Sequence, residues 1–194
     1  MSKLSISQEL VDQVISFHGH LCPGLAIGIR AGDWILNEIG TAPDEGLVLI
    51  TETDMCGVDA LQFLTGCTFG KGNLVYRDYG KVAFSFFRRR DDKKVRLVSR
   101  NTITEDLKKQ QEALDPKDTE GRKQLRSAMV DRILNAEIQE VFSFGLPLEE
   151  VPHRARIHKS APCALCHEYV MEPRLKTLNG QQVCIPCYET QNAR

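Results

Sequence analysis

Four cysteines near the end of the chain, Cys163, Cys166, Cys184 and Cys187, form a C-x2-C-x17-C-x2-C pattern. Each tight pair of thiolates grips one edge of a tetrahedron, the coordination that structural zinc prefers. Between the pairs, Glu172 to Val183 carries Asn179-Gly180, a strong two-residue turn signal, so a hairpin returns the second pair to the first. Few large apolar side chains flank these cysteines, and a segment so poor in core residues draws its folding free energy from the metal. Cys163-Ala164-Leu165-Cys166-His167 also satisfies the c-type haem attachment motif, but that use leaves the second pair idle. Neither pair opens a helix within a βαβ unit, as a thioredoxin-like dithiol does.

The remaining cysteines, Cys22, Cys56 and Cys67, lie in the first third, across a long cysteine-free stretch, so two separate sites are expected. The chain has 194 residues and a formal net charge of -1, which gives no global basic field to recruit nucleic acid. In the tail, Arg174, Lys176 and Arg194 are balanced by Glu168, Glu172 and Glu189. The run Arg88-Arg89-Arg90 is followed by Asp91-Asp92-Lys93-Lys94 and reads as a solvated hairpin tip. No run approaches the about 18 apolar residues of a membrane span. The start, Met1 to Glu9, lacks a secretory signal's apolar stretch, so a cytoplasmic location and metal or thiolate chemistry are expected rather than disulfides.

Apolar spacing predicts a helix over Ser7 to Phe17, with Ser5 or Ser7 as its cap, and a second from Pro23 to Gly40, before Pro43. Gly46 to Glu52 reads as a buried strand and Gly57 to Leu64 as a short helix. Three strands over Leu74 to Tyr79, Lys81 to Arg88 and Lys94 to Ser99 are expected to pair as an antiparallel meander. Helices over Thr104 to Leu114 and Thr119 to Phe142 follow, the latter on Leu125, Met129, Ile133 and Ala136. The order of elements predicts an α+β fold, an antiparallel or mixed sheet packed with helices, plus a small C-terminal zinc finger.

Phe17-His18-Gly19-His20-Leu21-Cys22-Pro23-Gly24 concentrates metal-capable side chains. They share one face if extended, or wrap a centre if looped at Gly19. Cys22 stands where the Pro23 helix begins and Cys56 where the Gly57 helix begins, and a helix N-terminus favours thiolate. His18, His20, Cys22 and Cys56 thus form a candidate open site of mixed nitrogen and sulfur ligation, suited to zinc, iron or nickel. The bland alternative is polar loop histidines and small buried thiols, which fits Cys67 best. Asp54 and Asp59 bracket Cys56; either is a candidate base or partner to a ligand histidine, and helix capping is the simpler role. Gly66 to Asn73 fails the phosphate-loop pattern, yet Lys71 between Gly70 and Gly72 is a candidate anion anchor.

Three stretches, Phe17 to Gly24, Cys56-Gly57-Val58-Asp59-Ala60-Leu61-Gln62 and Thr65 to Leu74, resemble the FmdE family of formylmethanofuran dehydrogenase components. The tail is similar to the treble-clef, or TraR/DksA-like, zinc finger that some members append. The resemblance implies an α+β core over residues 1–150, a linker over 151–160 and the finger over 161–194. It also implies a homodimer, an active site around the His/Cys motif, and a link to the molybdenum or tungsten enzyme that reduces carbon dioxide onto methanofuran. The expectation is a metalloprotein with redox or one-carbon chemistry, with His20, Cys56 and Asp59 as reacting or acid/base groups and Lys71 holding an anion. Its partners would be a small anionic substrate or an oxidoreductase complex, not nucleic acid or membrane. The rival is a non-catalytic accessory protein that senses metal or redox state and docks a partner through the finger.

Overall fold

The computed structural model describes residues 4–41 and 46–192; Pro43 and Arg194 lie outside them. The chain divides into two compact units, Met1–Arg154 and Ala155–Arg194.

In the first unit, α1 (Gln8–His18) is capped by Ser7, whose Oγ accepts the Leu10 N–H at 3.2 Å, and is stopped by Gly19 at φ 97°. Only glycine takes that left-handed turn cheaply. α2 (Pro23–Glu38) begins with proline at its first position, and Cys22 Sγ accepts the Leu25 N–H. β1 (Leu47–Thr51) is buried along its whole length, and α3 (Gly57–Thr65) leads from it to β2 (Leu74–Tyr76). β3 (Ala83–Arg88) and β4 (Lys93–Ser99) form a hairpin, followed by α4 (Glu105–Ala113), α5 (Thr119–Asn135), the one-turn α6 (Ile138–Val141) and β5 (Phe142–Gly145). The sheet order is β2-β1-β3-β4-β5, with β1–β2 parallel and the other neighbours antiparallel. The α+β class expected from the sequence is the one observed.

Leu47, Leu49, Phe84, Phe86, Leu97 and Phe142 turn one sheet face toward α2, α3 and α5, where Ile35, Leu61 and Ile133 meet them. A second cluster joins the three N-terminal helices through Val11, Val14, Leu25, Ile29, Ala60 and Leu64. At the α2–α3 crossing, Gly28 lies so close to Gly57 that a Cβ on Gly28 would stand 2.2 Å from the Gly57 carbonyl oxygen. These two glycines let the helix backbones touch.

Three expectations need correction. The meander forms only in its second half: β3 and β4 pair antiparallel as expected, but β2 pairs parallel with β1 rather than with β3. A strand buried on both faces, as β1 is, sits at the sheet interior and takes partners on both edges. Asn73 secures the arrangement: its Nδ2 donates to the Leu47 carbonyl and its Oδ1 accepts from the Thr68 N–H. The long helix to Phe142 also breaks. Ala136 is extended, its carbonyl accepts a bond from Arg30, and Glu137 opens a new capping box with Glu140. Phe142 onward then gains ladder hydrogen bonds to β4, which a continued helix would forgo. The arginine run is not simply solvated either: Arg88 holds Asp91 in a two-point ion pair and bonds the Ile39 carbonyl, and Arg89 bonds that of Pro152.

The second unit builds two small hairpins and a helix: β6 (Ser160–Pro162) with β7 (Tyr169–Met171), β8 (Lys176–Leu178) with β9 (Gln181–Val183), then α7 (Ile185–Asn192). Asn179 and Gly180 both have positive φ, 49° and 77°, the signature of a type I′ turn. Among the described residues of this unit the buried apolar side chains are Cys163, Val183 and Cys184, with Val170, Leu178, Cys187 and Tyr188 packed alongside.

Candidate metal centre

His18 is the last residue of α1, and the reversal at Gly19 carries His20 and Cys22 back over it. One donor atom each from His18, His20 and Cys22 lie within 4.8 Å of one another. The loop therefore wraps a centre. The His18 and His20 rings sit 4.7 Å apart, tilted by 33°.

α3 supplies the support. Asp59, in its first turn, places Oδ2 2.7 Å from His18 Nδ1. A carboxylate there fixes the ring's orientation and puts the Nδ1 proton on the Asp59 side. His18 Nε2 is then left as the donor, and it is buried with no hydrogen-bond partner among the described residues. A buried polar atom without a partner costs about 1–3 kcal/mol, so a group that accepts its lone pair is the natural completion. Nitrogen, nitrogen and thiolate in this arrangement fit a metal ion of borderline softness.

Cys56 is beside the triad but outside it. It stands at the N-cap of α3 without a side-chain cap bond: the Val58 and Asp59 N–H groups go to the Met55 and Cys56 carbonyls, and the Met55 sulfur accepts the Gly57 N–H at 2.9 Å. Burial, then the neighbouring Cys22 side chain, pushes the Cys56 thiol above the ordinary range. The expectation of a Cys56 activated by the helix terminus is thus reversed. Met55 escaped sequence reasoning because a thioether is not a usual cap.

Lys71 is not brought to this centre within the chain. Its Nζ lies 3.4 Å from where a Cβ on Gly66 would sit, over the C-terminal end of α3. The helix spans nine residues, about 13 Å at 1.5 Å per residue, between that end and Cys56. Carbonyls at a helix C-terminus attract an ammonium, which explains its place. Asp54 is exposed, and Cys67 is fully buried with its thiol toward the Leu47 carbonyl. One feature unforeseen in the sequence is an aromatic pair, Phe17 and Phe63, with ring centroids 5.6 Å apart. Phe63 falls one helical turn after Asp59, a spacing that places both on one face.

In the second unit, the Sγ atoms of Cys163, Cys166, Cys184 and Cys187 also lie within 4.8 Å of one another. Cys166 and Cys184 are 3.8 Å apart, matching the edge of about 3.8 Å in a tetrahedron with zinc–sulfur bonds of about 2.3 Å. Backbone N–H groups of Leu165 and Cys184 point at Cys163 Sγ. As free thiols the four share protons unequally: N–H bonds, first from Cys166, hold Cys163 down to about 6. The Cys184 sulfur pushes Cys187 up to about 12.

The family profile described as "FmdE, Molybdenum formylmethanofuran dehydrogenase operon" matches residues 17–143, from Phe17 into β5. The chain belongs to the FmdE family. A second profile, the prokaryotic DksA/TraR C4-type zinc finger, matches residues 156–193 of this FmdE protein, so its four-cysteine cluster is a structural zinc site. A tungsten formylmethanofuran dehydrogenase FmdE-like protein from Syntrophus aciditrophicus shares the fold, with a TM-score of 0.64 at 23% identity over 96% of this chain and 94% of that one. A protein of Archaeoglobus fulgidus, described as a probable S-adenosyl-L-methionine-binding protein, is 29% identical over 191 residues, 88% of this chain. The FmdE chain spans about half the length of that relative, 50%. No described helix is long and apolar enough to cross a membrane.

Proposed function

We propose that this FmdE protein holds a second metal ion in its core, on His18, His20 and Cys22, and performs redox or one-carbon chemistry on a small substrate there. The observation that carries the reading is the buried, unpartnered Nε2 of His18, whose other nitrogen is held by Asp59. When bound, a zinc, iron or nickel ion would supply Lewis acidity or electron transfer at a position the three side chains leave open. The chain's own residues do the rest. Asp59 orients His18. Cys56 packs on the same apolar cluster as Cys22, while Phe17 and Phe63 form an apolar wall that begins one residue from His18. The link to one-carbon or redox chemistry follows from the operon for which the family is named.

Elemental analysis of anaerobically purified protein is expected to find about two metals per chain, falling to about one in Cys22→Ser, since each site requires its thiolates. One zinc in both proteins would sink the core centre. Asp59→Asn is expected to keep the fold and weaken core metal affinity about 10–100-fold, as loss of a histidine-orienting carboxylate does. Unchanged affinity by competition with a chromophoric chelator would reduce Asp59 to a helix-capping role.

A second reading draws on the finger, which exposes Tyr169, Met171 and Leu165. In it the protein is a non-catalytic accessory component that docks a partner through these side chains, and a metal count of one would favour it.

A further inference from the structure

Asp59 is the third residue of α3, where a carboxylate ordinarily turns back to the N-cap N–H. It points elsewhere: among the described residues its two side-chain bonds run from Oδ2 to His18 Nδ1, 2.7 Å, and from Oδ1 to Gln62 Nε2, 3.5 Å. Gln62 follows Asp59 by three positions, so the two side chains share one face of the helix. The Asp59 side chain is 40% exposed, against 12% for that of His18. Water therefore competes for the carboxylate, and a single bond to the imidazole does not fix its rotamer. The Gln62 amide occupies one oxygen and leaves the other facing the ring.

The backbone around these three residues is held by other contacts. Val14 of α1 packs with Ala60 and Leu64 of α3, and Phe63 meets Phe17 beside His18. Gln62 takes no part in that apolar cluster, so its loss separates orientation from folding.

We propose that Gln62 is a positioning residue of the core metal centre: it holds Asp59 so that the proton of His18 stays on Nδ1 and Nε2 is left for the ion. The proposal rests on the metal-centre reading above and adds the residue that stands behind its carboxylate. The link is the tautomer, since the hydrogen bond made by one ring nitrogen decides what the other carries. With Asp59 free to turn to solvent, the proton can move to Nε2, the atom that is buried without a partner among the described residues. An ion must then displace it. A neutral amide is all that is removed, so the effect is one of orientation and not of charge.

The test compares wild type with Gln62→Met and Gln62→Leu, two apolar replacements of similar bulk, in the full chain with its finger loaded. Core affinity is read with added zinc against a chromophoric chelator. The His18 tautomer is read from long-range proton–nitrogen NMR correlations before that zinc is added, in mildly alkaline buffer. Both variants are expected to keep the melting temperature, to show Nε2–H where wild type shows Nδ1–H, and to bind core zinc about tenfold more weakly, the low end for loss of a ligand-orienting partner. On an Asp59→Asn background the same substitutions should change affinity by less than about twofold, because the two residues act through one contact. An undiminished loss on that background overturns the positioning role. So does an unchanged tautomer, or a loss of affinity that comes with a matching loss of thermal stability. Wild type that takes up no zinc beyond the finger's overturns the metal centre and the proposal together, whereas core binding equal in all three proteins overturns the role of Gln62 alone.

Discussion

Gly28→Ala is expected to destabilise the core by about 3 kcal/mol or more, which for a domain of this size lowers Tm by about 10 °C. The new Cβ would sit 2.2 Å from the Gly57 carbonyl oxygen and 2.5 Å from the Gly57 Cα. Backbone cannot rotate aside as a flexible side chain can, so the helices must separate. Separation strips contact from Leu25, Ile29, Ala60 and Leu64, which fill the same crossing. It also moves α3, and with it Asp59 and Cys56, away from the loop that carries His18 and Cys22. Core metal affinity should therefore fall along with stability. Gly70→Ala is the control: a Cβ there meets nothing within 4 Å, and the melting temperature should not change. Equal melting of the two variants would show that the α2–α3 contact relaxes without cost.

The second large effect concerns the finger. Cys184→Ser, or a strong chelator on the wild type, is expected to abolish amide-exchange protection through β6–β9 and α7 while the core keeps its own. Structural zinc supplies apparent stabilisation of about 10–16 kcal/mol in units of this kind. The buried side chains here, Cys163, Val183 and Cys184, are too few to substitute for it. Acid should act in the same direction: the ion must displace protons from thiols such as Cys187, pushed up to about 12, so affinity falls as pH falls. Persistent protection in the chelated protein would mean that the hairpins fold by themselves.

Much of this was readable from residue patterns because the deciding interactions are local. Ser7, Gly19, Pro23 and Asn179-Gly180 each govern the few residues around them, and the helix starts and the finger turn fall where these residues put them. The convergence of His18, His20 and Cys22 is local too, since Gly19 alone turns the chain between them. What escaped depends on distant partners. The parallel β1–β2 pair, the break at Ala136 and the seat of Lys71 are set by Asn73, Arg30 and the end of α3, none of which leaves a periodic trace. Cys56 shows the same limit. Its place at a helix start was plain, but the sign of its pKa shift depends on burial and on Cys22, thirty-four positions away.

The finger's zinc site and the proposed core site also differ in how their ligands are spread along the chain, and this has a thermodynamic consequence. The finger's four sulfurs come from two pairs with seventeen residues between them, so the unfolded segment has no preassembled site and nearly all the binding free energy is felt as folding free energy. His18, His20 and Cys22 span five consecutive residues, and an unfolded chain can still present them to an ion. A ligand that binds both states raises stability only by the difference between its two affinities. Saturating the core site should consequently raise its melting temperature far less than the measured Kd alone would suggest. What the fold adds there is the carboxylate that α3 brings behind His18, that of Asp59.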